Sequence, residues 1–398
     1  MDDLPPLGSV IAAADVERWK HLLGPSVQWS LQHGATIKVS APVPIPLEAA
    51  RARATELYHD QVELTADKMD MKNYVAGVPF PTVNPDDPDA GVKLMFNQQS
   101  RTVVDDVDAR NIACQTGTIV PGRGVELEKQ YVTGHWRRLF YVGRLYYDPK
   151  PAWKASDGAR YRESQYPFIE PFDLKSGGWS YTRYLDPGRL DDAWLYYPIT
   201  RRVRRMSTAQ RSQGVFGQDM DLDSLAGFSG NPAWTEWHLL GVKTVLAAMH
   251  AKHSPVGWQK APADFVFDEE WEPRQVYVIL GRSRLPDYGF SQRVIYVDRE
   301  SYLIPYSEIY DLKGQLWKGL VQAWSFGATV RPDAGGASFE EFYLPGYAMI
   351  DMQLNHVTRC ELPYRNAVGD KGWYYNHGNA EGVTEDSFAV SSLIGQAH

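Results

Sequence analysis

The sequence is short of positive charge, of long apolar runs and of cysteine, and each shortage excludes a class of protein. Its 41 basic residues are outnumbered by 49 acidic ones, giving a net charge of −8, which argues against a nucleic-acid partner held by an overall basic field. No run approaches the ~18 apolar residues of a membrane-spanning helix. Two cysteines, Cys114 and Cys360, are too few for a four-cysteine zinc cluster or a disulfide scaffold. One bridge or two free thiols both remain open.

Signatures of catalysis and of cofactor binding are also scarce. The run Gly-Phe-Ser-Gly-Asn around Ser229 resembles a nucleophile elbow but lacks the glycine two residues after the serine. His250 and His253 are three residues apart, without the glutamate that follows the first histidine of a zincin motif. No phosphate-cradling or dinucleotide fingerprint is present. We therefore predict no catalytic residue, no metal and no cofactor.

An alternating set of aspartates is the nearest approach to a metal motif. Asp219, Asp221 and Asp223 follow the spacing of the first three ligands of a calcium loop. Such a loop also needs glycine at its sixth position and glutamate at its twelfth, and these positions hold Ser224 and Gly230. The simpler interpretation is that the aspartates cap the start of a short helix at 221–228.

Aromatic residues, glycine and proline are abundant. The chain has 13 Trp, 23 Tyr and 14 Phe, with 33 Gly and 26 Pro, a composition that favours strands and tight turns over a helix bundle. We expect residues 1–90 to be helical and extended, with a short helix ending at Gly24, a linker at 41–46 and an amphipathic helix at 47–69.

Period-two alternation predicts a curved antiparallel β domain with helical lid insertions over residues 91–398, forming one structural unit with the first segment. Residues 244–250 fit either a helix or a strand. The predicted strands are 139–147, 179–185, 193–198, 274–281, 292–298, 302–310 and 315–326.

The most concentrated charge is the run Arg-Arg-Val-Arg-Arg at residues 201–205. Four guanidinium groups in five residues repel one another unless anions neutralise them. The anions could be nearby aspartates, namely Asp186, Asp191, Asp192 or Asp219. Alternatively, an anionic head group or an acidic partner surface is contacted by Arg201, Arg202, Arg204 and Arg205.

Three segments resemble a known family. They are residues 73–81 (NYVAGVPFP), residues 192–207 (DAWLYYPITRRVRRMS) and the meander holding YVDRE at 296–300 and YDLKG at 310–314. Together they resemble the DUF1329 family, whose members are often labelled outer-membrane lipoprotein-sorting-like. The resemblance runs from about residue 73 to residue 376, and the arginine-rich block is its most distinctive part.

The resemblance implies an α+β, mainly antiparallel fold like that of the lipoprotein carriers LolA and LolB: a strongly curved, incomplete β-barrel covered by helices. It also implies a periplasmic protein, whose signal peptide would be absent from this sequence, working beside a resistance-nodulation-division (RND) exporter of the inner membrane and an outer-membrane protein. The family supplies no catalytic residues. No cysteine lies near the N-terminus, so a LolB-like lipid anchor is not expected.

We therefore expect a non-enzymatic carrier for a lipid or other hydrophobic molecule. A curved sheet rich in aromatic residues leaves a hollow that an acyl chain or sterol-like body can fill. Two alternatives remain: an enzyme using Ser229 or a histidine such as His238, and an interaction module docking through the arginine strand. The predicted ligand-lining residues are Trp179, Tyr181, Trp194, Tyr196, Leu222, Leu225, Phe228, Tyr277 and Ile279.

Overall fold

The computed structural model describes residues 3–101, 104–155, 157–206, 211–331, 337–364, 372–376 and 383–395. Strands dominate it: β1 Val10–Ile11, β2 Ile37–Val39, β3 Glu63–Leu64, β4 Met71–Lys72, β5 Asp106–Val120, β6 Gly124–Phe140, β7 Ala159–Gln165, β8 Phe168–Glu170, β9 Gly178–Tyr184, β10 Asp192–Tyr197, β11 Arg202–Arg205, β12 Thr235–Ala247, β13 Glu270–Ser283, β14 Gln292–Asp298, β15 Tyr306–Tyr310, β16 Leu316–Arg331, β17 Ala337–Asp351, β18 His356–Glu361 and β19 Trp373–Tyr375.

Helices are few and short. The α-helices are α1 Val16–Trp19, α2 Pro25–Gln32, α3 Ala49–Tyr58, α4 Ala90–Ser100 and α5 Val390–Gly395. Single turns of 3-10 helix lie at Ala13–Asp15, Lys20–Leu22, His59–Gln61, Phe172–Leu174, Val215–Gly217, Leu222–Gly227, Pro232–Trp234 and Glu385–Phe388.

One large antiparallel sheet organises the chain. Hydrogen-bonded neighbours run in the order β11-β10-β9-β7-β6-β5-β18-β17-β16-β15-β14-β13-β12. Within the described part of the chain, β11 and β12 pair with no further strand, so the sheet is open. The predicted antiparallel fold is confirmed. The expectation of an incomplete barrel is supported only in that the sheet is not closed.

Residues directly opposite one another in this sheet share a face, and the register defines two faces. Tyr347 lies opposite Cys360, and Cys360 lies opposite Cys114. We call this side the cavity face; α4 packs on its β12 end. The opposite face carries α2, which packs closely on Gly319 of β16. A Cβ atom added at Gly319 would lie only 2.3 Å from the Cβ of Ser26 in α2. We call it the α2 face.

Cys114 and Cys360 form a disulfide between β5 and β18. The two strands are neighbours and the two residues are register partners, although 246 positions separate them in the chain. Of the two possibilities that the sequence left open, the structure contains the bridge. It joins the N-terminal hairpin of the sheet to its C-terminal strands.

The helix predicted over 47–69 is wrong beyond Tyr58. A local turn competes with the helix, because Thr65 Oγ1 donates to the Asp67 carboxylate at 2.6 Å and the same carboxylate accepts the Met69 amide at 3.1 Å. The strand predicted over 139–147 ends at Phe140, since the Asp105 carboxylate accepts the backbone amides of residues 145–147 and folds that segment into a turn.

Two other segments also differ from their predictions, and for residues 244–250 the structure selects one of the two possibilities that the sequence left open. Residues 90–100, expected within the strand-rich part, form α4, whose buried side chains point to more than one side because both β12 and the preceding loops pack on it. Residues 244–247 are strand, not helix. The helix expected at 221–228 is 3-10 and kinked, with non-helical backbone at Leu225 and Ala226.

Glu308 on β15 is a buried carboxyl on the α2 face. It is 1% exposed and accepts hydrogen bonds from the Ser26 amide at 3.2 Å, the Tyr296 hydroxyl at 3.3 Å and the Tyr310 hydroxyl at 3.5 Å. No cation is within ion-pair distance of it among the described residues. Burial outweighs these hydrogen bonds and raises the pKa of Glu308 to about 7.

This raised pKa gives the stability a pH dependence. In the unfolded chain Glu308 ionises near its ordinary pKa, whereas in the folded protein it stays protonated until about pH 7, so its contribution to the free energy of unfolding should fall by about 3 kcal/mol between pH 4.5 and pH 8. Glu308→Gln should remove that fall and be more stable than the wild type at pH 8, as measured by urea unfolding at both pH values. Glu126→Gln, on an exposed residue, is the control; an unchanged pH dependence in Glu308→Gln would contradict the prediction.

Candidate functional site

A cavity of about 180 Å³ lies on the cavity face. It is far larger than the ~10–15 Å³ that one water molecule needs. Its wall on the sheet is mostly apolar and aromatic: Val107, Ile112, Trp136, Phe140, Tyr161, Trp324, Phe342, Leu344, Tyr347, Leu362, Trp373 and Tyr375. These side chains project from β7, β6 and β5, from β17 and β16 on the other side of β18, and from β19, while Leu362 directly follows β18. The register of the sheet itself therefore builds the hollow.

Two segments cover this wall. The first is the end of α4 with the residue after it, Gln98 to Arg101. The second is residues 225–230, which follow the kink in the 3-10 turn and contribute Leu225, Ala226, Phe228, Ser229 and Gly230. Gln98 joins the two segments, because its side-chain amide donates to the Phe228 carbonyl at 3.2 Å. We call residues 222–230 the cover segment.

A buried network of charges fixes the cover segment to β9 of the sheet. Asp191 accepts from Arg183 at 2.7 Å and from Arg211 at 2.7 Å, and Arg211 also pairs with Asp223 at the start of the cover segment. Arg183 then donates to the Ser229 carbonyl at 3.1 Å. Alternating charges thus connect both ends of the cover segment to β9.

Asp223 is the centre of this network. Burial opposes its ionisation, but the charge and hydrogen bonds of Arg211 and the hydroxyl of Tyr288, at 2.6 Å, lower the pKa of Asp223 below its ordinary value. Its backbone carbonyl also accepts the Ser229 amide at 2.9 Å. The carboxylate is therefore ionised and fully partnered at neutral pH.

A second ion pair lies in the cavity wall itself. Arg138 pairs with Glu163 across β6 and β7, and the Trp136 indole donates to the same carboxylate at 3.0 Å. The Arg138 guanidinium carbon also lies 4.7 Å from the Tyr161 ring centre. This pair is neutralised and hydrogen-bonded, so it forms a polar strip in an otherwise apolar wall.

The comparisons with known proteins agree with this architecture. The sequence pattern of the family described as "Protein of unknown function (DUF1329)" matches residues 10–393. The chain belongs to the DUF1329 family. No match was found among the curated proteins.

Two solved structures with the same fold cover this DUF1329 chain widely. One, from Vibrio parahaemolyticus, is described as an outer-membrane lipoprotein-sorting protein domain; it has 16% identity and a TM-score of 0.51, covering 77% of this chain and 100% of its own. The other is a DUF1329 protein from Desulfovibrio piger, with 14% identity, a TM-score of 0.51, and coverage of 78% and 100%. A LolA superfamily protein from Nitrosomonas europaea aligns at 12% identity with a TM-score of 0.41, over 74% and 94%.

Among the predicted lining residues, Leu225 and Phe228 lie in the cavity wall. The other seven do not. Leu222, Trp179 and Tyr181 are buried in the main core, and Tyr277 and Ile279 pack with α4 and the loops before it. Trp194 and Tyr196 lie on the α2 face of the sheet, packed with Tyr166 and Leu393.

The register explains the misplaced pair on β10. Trp179 lies opposite Leu195, and Tyr181 lies opposite Ala193, so Trp194 and Tyr196 point to the other face. The sequence shows alternation within each strand but not which face of one strand matches which face of the next.

The arginine block occupies the edge strand β11, away from the cavity wall. Of the four acidic neighbours proposed for it, Asp192 pairs with Arg205. Asp191 is bound to the buried network, Asp186 accepts the Gly188 amide, and Asp219 accepts from His356 and Thr358. Within the described chain, the exposed side chains of Arg201, Arg202 and Arg204 have no acidic partner. Their contact with a head group or partner stays a prediction.

The aspartates and the serine singled out in the sequence have structural contacts. Asp219, Asp221 and Asp223 bind different partners, and no group of three or more candidate ligands that could hold a metal ion is found in the described residues. Ser229 Oγ donates to the Leu222 carbonyl at 2.6 Å. His238 is exposed and bonds Glu236.

Sequence reasoning missed most of the wall. Val107, Ile112, Trp136 and Phe140 lie on the long β5–β6 hairpin, which the sequence prediction did not delimit. The available signal was the alternation of apolar residues on either side of the turn at 121–123. It is weak because β5 is buried on both faces along much of its length.

The charge network makes a stability prediction. Asp223→Ala should lower the free energy of unfolding by about 3 kcal/mol, because it leaves the buried Arg211 short of one partner and frees the Tyr288 hydroxyl. The measurement is chemical denaturation at pH 7. Asp86→Ala, on an exposed aspartate, should change stability by less than about 0.5 kcal/mol. Equal effects of the two substitutions would contradict a role for the network.

Proposed function

We propose that this DUF1329 protein is a non-enzymatic carrier that binds a lipid or other hydrophobic molecule in the covered cavity. The observation that carries the proposal is the unfilled apolar cavity under the cover segment. A protein interior is normally packed to crystal density. A void lined by Ile112, Leu344 and aromatic rings is therefore the place where burial of an apolar guest would be most favourable. The likeness to a Vibrio domain described as lipoprotein-sorting also supports a carrier function.

The free energy of burying an acyl chain suits a carrier protein. Burial stabilises an acyl chain by about 0.8 kcal/mol per methylene group, and the costs of binding cancel several kcal/mol of that gain. A carrier needs such a balance, since a guest held too tightly cannot be passed on. The apolar and aromatic part of the wall provides contacts that are broad and not strongly directional.

The cover segment is the route by which a guest could enter. Its middle residues, Leu225 and Ala226, have non-helical backbone, and Ala226 has a positive φ of 50°. Its ends are held by Arg211 and Arg183. We propose that the middle of the segment moves to admit the guest while the charged ends stay fixed.

We also propose a periplasmic location and a partnership with an RND-type exporter and an outer-membrane protein. A disulfide between Cys114 and Cys360 supports the location, because such bridges persist in oxidising compartments including the periplasm. No helix in the described ranges is both long and apolar enough to cross a membrane.

Binding of a guest is tested by extracting lipids from protein purified from its native periplasm, with mass spectrometry, and by titrating delipidated protein with a fluorescent fatty acid. Val107→Trp should weaken binding at least tenfold, because the indole would occupy the cavity. Leu127→Trp is the matched control, since Leu127 is 54% exposed. Repeated absence of a bound or binding hydrophobic molecule, or full affinity in Val107→Trp with an unchanged melting temperature, would overturn the proposal.

Partner docking is proposed for β11, because it is an edge strand of the described sheet with exposed, unneutralised arginines. Arg202→Glu with Arg204→Glu should weaken binding to the purified exporter of the same organism at least tenfold and leave fatty-acid affinity unchanged. Lys260→Glu with Lys313→Glu makes the same charge change at exposed sites elsewhere and should not affect exporter binding. Equal losses in both double variants would reject β11 as the docking strand.

A further inference from the structure

Arg101, the residue directly after α4, is buried without a counter-ion. Its side chain is almost completely covered, with the residue 8% exposed, and it lines the cavity. In the part of the chain that the structure describes, its guanidinium has no carboxylate within ion-pair distance and makes no hydrogen bond. Its neighbours are rings: the guanidinium carbon lies 4.0 Å from the Phe342 ring centre and 5.7 Å from that of Trp324.

A second buried arginine makes this position more unusual. Arg51 is 2% exposed; one of its Nη atoms donates to the Ser100 carbonyl, and its Nε has no acceptor. Burial lowers the pKa of Arg101 well below its usual range, and the nearby charge of Arg51 lowers it further. Asp298 has the opposite effect on the pKa of Arg101 but lies beyond ion-pair distance, and Glu48 acts in the same way on Arg51. Arginine stays protonated in proteins, so this end of the cavity carries a positive charge that no described carboxylate contacts at Arg101.

Arg101 lines two cavities. Besides the main cavity, it lines a second cavity of about 290 Å³, whose wall includes the polar side chains of Glu48, Arg51, His250 and Ser301. In the main cavity, Gln99 Oε1 and Ser100 Oγ are buried without a hydrogen-bond partner. Unpartnered polar atoms therefore gather at the end of α4, next to the apolar and aromatic part of the wall.

We propose that the guest is an amphiphile with an acidic head group, a carboxylate or phosphate on a single apolar tail, and that Arg101 binds the head group. The tail would lie against Val107, Ile112 and Leu344. A guanidinium binds carboxylate and phosphate through two parallel hydrogen bonds, which would satisfy donors that no described residue satisfies. This inference rests on the proposed carrier function and adds the chemical class of the guest.

A purely structural role for Arg101 makes different predictions. A cation at the C-terminal end of α4 interacts favourably with the helix dipole, and the two rings provide cation–π contacts. If those contacts were the reason for the arginine, its removal would destabilise the empty protein and would not alter the choice between an acid and an alcohol. Both quantities can be measured.

The experiment compares hexadecanoic acid, hexadecyl phosphate and hexadecanol as competitors of a neutral fluorescent acyl probe on delipidated full-length protein. The wild type should bind at least one of the two acids tenfold or more tightly than the alcohol. In Arg101→Gln the affinity for the preferred acid should fall to that for the alcohol, whose own affinity should not change. Arg101→Lys should keep part of the preference. Arg123→Gln, on an exposed arginine of the turn between β5 and β6, should behave as the wild type.

The outcomes separate this inference from the carrier proposal. Equal binding of acids and alcohol by the wild type would overturn the acidic head group and leave the carrier intact, whereas binding of neither would overturn both. Acetate and inorganic phosphate, which lack the tail, should not displace the probe; displacement by either would show a small-anion site instead. Arg101→Gln should melt no lower than the wild type. A large fall in its melting temperature, with the preference for acid over alcohol unchanged in the protein that remains folded, would assign Arg101 a structural role instead.

Discussion

The alternating buried charges of Arg183, Asp191, Arg211 and Asp223 are the interaction on which the site depends. An open sheet with one apolar face would ordinarily collapse on whatever segment lies above it. Here the cover segment is fixed at both ends by ionic contacts that are directional and fully paired. Because buried ion pairs demand particular geometry more than they add stability, the network sets where the cover lies, and the cavity can persist beneath it.

The same logic applies to the sheet that carries the wall. Strands from the two ends of the chain meet where β5 pairs with β18, and the disulfide joins them on the cavity face, next to Tyr347. A hollow weakens local packing, since the residues around it lose contacts on one side. A covalent link at its edge, together with the Arg138–Glu163 pair in its wall, compensates for part of that loss and limits how far the strands can separate.

Local patterns in the sequence predicted local structure well. Runs of apolar and aromatic residues bounded by turn residues located β9, β10 and β14 almost to the residue. Long-range pairing was not predictable in the same way. Asp223 was expected to cap a short helix, and nothing in the sequence indicated its partner Arg211. Trp194 and Trp179 look alike in sequence but point to opposite faces. Register between strands and partner choice among charges are decided by tertiary contacts, which one sequence does not display.

The number of arginines in a short stretch of sequence does not show which arginine most needs an anion. Four arginines in five residues attract attention in the sequence, yet on an edge strand water screens and solvates them, so their charge needs no ligand. Arg101 has no charged residue beside it in the chain, but the fold removes it from water and supplies no carboxylate among the described residues. An isolated buried charge costs far more than a crowded exposed one. Burial, and not the number of positive residues in a row, therefore determines which position most requires an anion. The burial of Arg101 follows from where α4 ends against Phe342.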